Sequence, residues 1–229
     1  MRAMMGSLPL KLFTAAAAVE VAAATTGVPE LHWIARPLLA PLLIWHIRQT
    51  RRKPDAVVYG LGLATLGDLA LLIPDRGGLL TAMLFFFGTL VSLTLAFLNR
   101  AKPLPGPSAI FALLAVSANA LFGDELGALH VPVLLYSLAL AAMAAAAAGV
   151  SPMIAAGGAL FLASDVLVFV NATGVHLPVI AAATHAAALA LIAIGWTRLD
   201  NADEPVGAGR GRVGRPLPAV QPAGVTVPR

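Results

Sequence analysis

Cysteine is absent from the 229 residues, which excludes disulfide staples and thiolate metal sites. Charge is nearly as scarce. Only 11% of the residues are Asp, Glu, Lys or Arg, against 59% hydrophobic ones, and the mean hydropathy is +0.86. A soluble domain carries about a quarter charged residues, so this chain lacks the polar surface to cover itself in water. The sequence also has no Walker loop, no GxSxG elbow, and no HExxH, DxDxD or paired-histidine spacing. These absences remove the ATPase, serine-hydrolase and dedicated-metal readings, and no cofactor is implied.

What the chain has in abundance is apolar runs of about 20 residues, the length that crosses a hydrocarbon core as a helix. Read between Gly, Pro and charged breaks, they predict helices at about 8–26, 30–47, 56–73, 79–98, 107–123, 130–148, 151–171 and 176–197. The expected fold is all-α, a polytopic transmembrane bundle of eight helices over residues 1–198, followed by a disordered tail at 199–229 rich in Gly, Pro and charge. Only Gly149, Ser151 and Pro152 divide the run 130–171, so seven crossings stay open. Arg2 before the first run gives it the flank of a signal peptide, but Glu20 interrupts the run and favours a retained helix.

The net charge of +4 does not point to nucleic acid, because the basic residues lie in short connectors and the tail. They set orientation instead. With the N-terminus inside, 13 of the 15 Lys and Arg fall at or near the cytoplasmic face, and only Arg36 and Arg76 do not. Both termini are therefore expected in the cytoplasm. The cluster at 48–53 reads as a topogenic connector with some contact to anionic lipid. Trp45 and Trp196 are expected at the inner interface and Trp33 at the outer, with His32, His130 and His176 near the outer ends. An Ala-rich composition suits a bacterial inner membrane, and the Ala-rich stretch 141–148 suits close helix packing.

A helix rises about 1.5 Å per residue, so topology converts sequence position into depth. Glu20, Arg36, Asp68, Asn119, Tyr136, Asp165 and His185, from seven different helices, then fall in one stratum roughly 6–14 Å below the outer boundary. An isolated charge at that depth costs about 2.5–3.5 kcal/mol, so these groups require partners or a wet cavity. Gly60, Ala64 and Thr65 share the helical face of Asp68, and Gly157, Gly158 and Phe161 share that of Asp165. Small residues admit neighbouring helices, which turns both acids into the bundle. Asp68 and Asp165 are the candidate chemical pair. Arg36 is either a counter-ion or an anion-recognition group, and Glu20 either a structural partner or part of the site. His185 reads as a bundle histidine or a proton shuttle, and Asn119 and Tyr136 as interhelical glue or substrate contacts.

The segments RPLLAPLLI (36–44), LATLGDLALL (63–72), PVLLYSLALAAMAAAA (132–147) and GGALFLASDVLV (157–168) resemble, in order and spacing, the motifs of the YhhN family of membrane proteins. The resemblance runs from residue 36 to about 192. It implies cleavage of the vinyl ether bond of lysoplasmalogen, a lysophospholipid-type substrate in the bilayer, to a fatty aldehyde and a glycerophospho-ethanolamine or glycerophospho-choline. The family's proposed acid pair matches Asp68 and Asp165, its basic position matches Arg36, where lysine is more usual, and its tyrosine matches Tyr136. Two positions depart from the pattern: Ala96 or Phe97 stands where the family has a helix-4 histidine, and His185 and Leu189 replace tyrosine and glutamine in helix 8.

Independently of the resemblance, vinyl ether hydrolysis needs one proton donor and one group that activates water, which two acids supply. A transporter or proton-coupled carrier uses the same side chains. LATLGD and LFLASD, 97 residues apart, suggest two parallel four-helix repeats, as transporters have. A purely structural role leaves the buried acids unexplained. The sequence does not fix the oligomeric state.

Overall fold

The computed structural model describes residues 7–50, 55–73, 75–122, 130–172 and 177–203, and these form eight helices and no strand. In order they are α1 Leu8–Thr26, α2 Pro29–Thr50, α3 Ala56–Ala70, α4 Arg76–Leu98, α5 Pro105–Phe122, α6 His130–Val150, α7 Pro152–Ala172 and α8 Pro178–Asp203. Their starts have chemical causes. Proline opens α2, α5, α7 and α8, where its missing N–H costs nothing and its fixed φ suits the first turn. Asp55 caps α3 by accepting from the Val58 amide at 3.1 Å, and Asp75 caps α4 through the Gly78 amide at 2.6 Å.

Four helices, α1, α4, α6 and α8, are long and apolar enough to cross a membrane, and the chain is a membrane protein on that ground. Shorter apolar helical stretches lie at Ala56–Ala70, Pro105–Ala120 and Pro152–Val168. Two ends differ from the expected ranges. α3 stops at Ala70, where the chain tightens: the Leu72 and Ile73 amides donate to the carbonyls of Leu69 and Ala70, three residues back, both at 3.1 Å. α8 runs five residues into the stretch assigned to the tail, since Leu199 still packs against the core. Residues 204–229 and His176 lie outside the described residues.

Seven helices close into a ring in the order α1, α2, α3, α4, α6, α7, α8 and back to α1. α5 stands outside it, packed on α6. The ring has two unlike ends. At the end that carries the start of α1 and the finish of α8, large side chains interlock: Leu39, Leu43 and Ile47 of α2, Leu61 of α3, Leu90, Leu93 and Phe97 of α4, Met143 of α6, Ile154 of α7, and Leu189 and Ile192 of α8 are all buried. The small residues of α7 set the spacing here. A Cβ on Gly157 would lie 2.8 Å from Ile192 Cγ1, and one on Gly158 2.7 Å from Ala147 Cβ. Ala144 through Ala147 are buried on the facing side of α6, as close helix packing requires.

Trp196 belongs to this packed end. It is 4% exposed. Its indole donates to Asp55 Oδ2 at 2.7 Å, its ring lies 6.0 Å from that of Phe97, and the Arg100 guanidinium sits 5.2 Å above it. The capping aspartate satisfies the indole N–H, which lets the ring be buried among the helices. Trp33 and Trp45 stay exposed.

Candidate active site

The opposite end of the ring holds the polar layer, with side chains from α1, α2, α3, α6, α7 and α8. On α2, His32 and Arg36 are four residues apart and therefore share a face. His32 Nδ1 pairs with Glu20 Oε1 of α1 at 2.8 Å, and Arg36 Nε donates to Asp68 Oδ1 of α3 at 2.8 Å. Both carboxylates are 1% exposed. Pro37 follows directly and Pro41 lies one turn on, so the carbonyls of Trp33 and Pro37 lose their helical amide partners beside Arg36.

Across the ring, the Tyr136 hydroxyl of α6 donates to Asp165 Oδ2 of α7 at 2.6 Å. Ser164 Oγ lies 3.5 Å from Asp165 Oδ1 while bonding the Phe161 carbonyl at 2.8 Å. The two acids belong to one electrostatic field. Arg36 acts on Asp68, Glu20 and Asp165, and Asp68 acts on both Asp165 and Tyr136. His185 of α8, also within reach of Arg36, turns its ring toward Phe161 at 5.6 Å.

Three buried polar atoms in this layer, Glu20 Oε2, Asp68 Oδ2 and His185 Nε2, have no hydrogen-bond partner among the described residues. Leaving such an atom unmet costs about 1–3 kcal/mol, so each of the three calls for a polar partner. No cluster of three His, Asp or Glu suited to a metal ion occurs among the described residues.

The structure thus brings six of the seven expected residues into one layer. Asn119 stands apart. It lies on α5, outside the ring, and donates to Ser137 Oγ at 2.6 Å and to the Ala115 carbonyl at 2.8 Å. His32 is the residue that sequence reasoning assigned to the outer interface and the structure pairs with Glu20. The four-residue spacing to Arg36 was the available signal. Phe86 of α4 packs on α3 at Gly67, the residue before Asp68, where an added Cβ would meet its ring at 2.9 Å.

Against this geometry the sequence comparison is decisive, because the profile of the YhhN family matches residues 31–196. The chain belongs to the YhhN family. The match starts just before His32 and ends at Trp196, so it takes in every polar-layer residue except Glu20. Lysoplasmalogenase-type membrane proteins are the known kind of this family. No curated protein and no solved structure matches the chain.

Proposed function

We propose that this protein is a membrane-embedded hydrolase of the vinyl ether bond in lysoplasmalogen-like lysolipids. The observation that carries the reading is the unequal mounting of two carboxyls, the buried Asp68 on a guanidinium and the partly buried Asp165 on a phenol. Family membership supports the same reaction class.

A vinyl ether is cleaved by protonating carbon, and two unlike carboxyls divide that work. Asp165, bonded by neutral hydroxyls, delivers its proton to the vinyl carbon distal to oxygen. The double-bond electrons form the new C–H bond and leave an oxocarbenium ion at the adjacent carbon. Asp68, facing the fixed charge of Arg36, takes a proton from water as the water oxygen bonds to that carbon, which gives a hemiacetal. The Asp68 proton then passes to the ether oxygen, the C–O bond breaks, and the hemiacetal hydroxyl proton returns to Asp165. One water is consumed, and a fatty aldehyde and a glycerophospho-alcohol leave. Arg36 also supplies positive charge suited to a lysolipid phosphate, and Glu20, His32 and His185 surround the water and head group with polar atoms.

On the Lys and Arg distribution we place both termini in the cytoplasm, eight crossings in a bacterial inner membrane, and the site toward the outer face. The test is aldehyde detection on detergent-purified protein given a lysoplasmalogen, with plain lysophospholipids as controls. Release from the vinyl ether lipid alone is the expected result. Hydrolysis of the ester controls, or substrate counterflow in proteoliposomes without any hydrolysis, overturns the reading.

A further inference from the structure

A cavity of about 260 Å³ runs along the groove between α4 and α6. Its walls are apolar: Met83, Leu84 and Phe87 from α4 and Leu135 from α6 line it, and Leu84 is 69% and Leu135 53% exposed on the outer surface of the ring. In a membrane protein that surface faces lipid, so the groove opens sideways into the bilayer rather than toward water. Tyr136 also lines it. The hydroxyl of that tyrosine is the group bonded to Asp165. On α4, Phe87 faces the groove while its neighbour Phe86 packs on Gly67, beside Asp68. The apolar walls therefore lead to Tyr136, the side chain that holds Asp165.

We propose that this groove seats the hydrocarbon chain of a single-chain lipid, which enters laterally between α4 and α6 and presents its first carbons to the acid pair. The inference rests on the proposed vinyl ether reaction for the identity of the reacting atoms, and it adds where the chain lies and what it selects. Drug-sized ligands occupy sites of about 300–1,000 Å³, so the smaller α4–α6 groove admits one slender chain and not two. An aliphatic chain gains about 0.8 kcal/mol for each methylene it buries out of water, but from within a bilayer that gain is absent. Shape, not hydrophobicity, then sets the preference, and the side chains along the groove act as a ruler for chain length. A second groove, of about 570 Å³ between α1 and α8 and lined largely by alanine, lacks any contact with Tyr136 and is the competing seat.

The test uses full-length wild-type protein and a lysophosphatidylethanolamine with a diazirine at mid-chain, followed by irradiation and peptide mapping. Labels are expected on residues 80–87 and 132–136. Labels concentrated on residues 13–22 and 183–190 overturn the proposal. Because labelling needs no turnover, the two ideas fail separately. A labelled α4–α6 groove in a protein that releases no aldehyde sinks the reaction and keeps the groove, whereas an active enzyme labelled at α1–α8 does the reverse. The variants Leu84→Trp and Leu135→Trp give a second readout. Each is expected to lower the ratio of kcat/KM for long-chain over short-chain vinyl ether lysolipids by at least tenfold, and an unchanged ratio in both contradicts the proposal.

Discussion

Asp68 and Asp165 occupy corresponding places in the two halves of the chain, each near the end of the third helix of its half and each held by a side chain from the helix before. The holders differ. Arg36 gives Asp68 a permanent countercharge, and Tyr136 gives Asp165 a neutral hydrogen bond. The surroundings differ in the same sense: a second carboxylate pair, Glu20 with His32, lies beside the first acid, and among the described residues the Ser164 hydroxyl lies beside the second. The same residue type thus sits in two chemical environments. The lesson is that the neighbour, and not the acid, sets how each carboxyl is held, which is the difference the proposed division of labour uses.

This comparison can be broken by exchanging or removing its parts. The largest effect is expected from Asp165→Asn, which removes the proton donor and lowers aldehyde release by about 10³-fold or more, within the range general acid catalysis supplies. Retained activity would show that the neutral mount has no part in proton delivery. Next is Asp68→Asn, which leaves Arg36 buried without its partner. Breaking a buried pair costs about 3–5 kcal/mol, so a lower Tm in detergent should accompany the loss of turnover. The double change Arg36→Gln with Asp68→Asn should recover much of that stability and none of the activity. Tyr136→Phe is milder. It removes one hydrogen bond worth about 1 kcal/mol and should lower kcat about tenfold with little change in Tm.

The smallest catalytic effect is expected at the packed end. Trp196→Phe loses the bond to Asp55 and the stacked guanidinium, so Tm should fall by a few degrees, consistent with about 1 kcal/mol, while kcat stays at the wild-type value. A loss of turnover there would couple the two ends of the ring and contradict the division drawn between them.

Much of this arrangement was legible in the residues. The apolar runs gave eight helices with ends a few residues from those observed, because hydrocarbon length and helix breakers act locally. The helical rise of about 1.5 Å per residue set Arg36 level with Asp68 and Tyr136 level with Asp165, and the structure joins each of these pairs by a hydrogen bond. Lateral order was not legible. α4 and α5 are both apolar along their lengths, and nothing in hydropathy tells which of them meets α6 inside the ring. Asn119 was therefore placed by depth in a layer from which α5 stands aside. The burial of Trp196 was hidden for a related reason: the acceptor that satisfies its indole, Asp55, is 141 residues away in the chain. His32 shows the converse, a pairing that the α2 face encoded but that only the approach of α1 makes visible.

The central claim is that Asp68 and Asp165 act on one bound molecule. The most direct test is a double-mutant cycle on single-turnover aldehyde release, with Asp68→Asn, Asp165→Asn and the two combined. Groups that serve one reaction are strongly non-additive. The account predicts a double variant no slower than the worse single one. Losses that multiply independently, or a wild-type protein that releases no aldehyde, would contradict it.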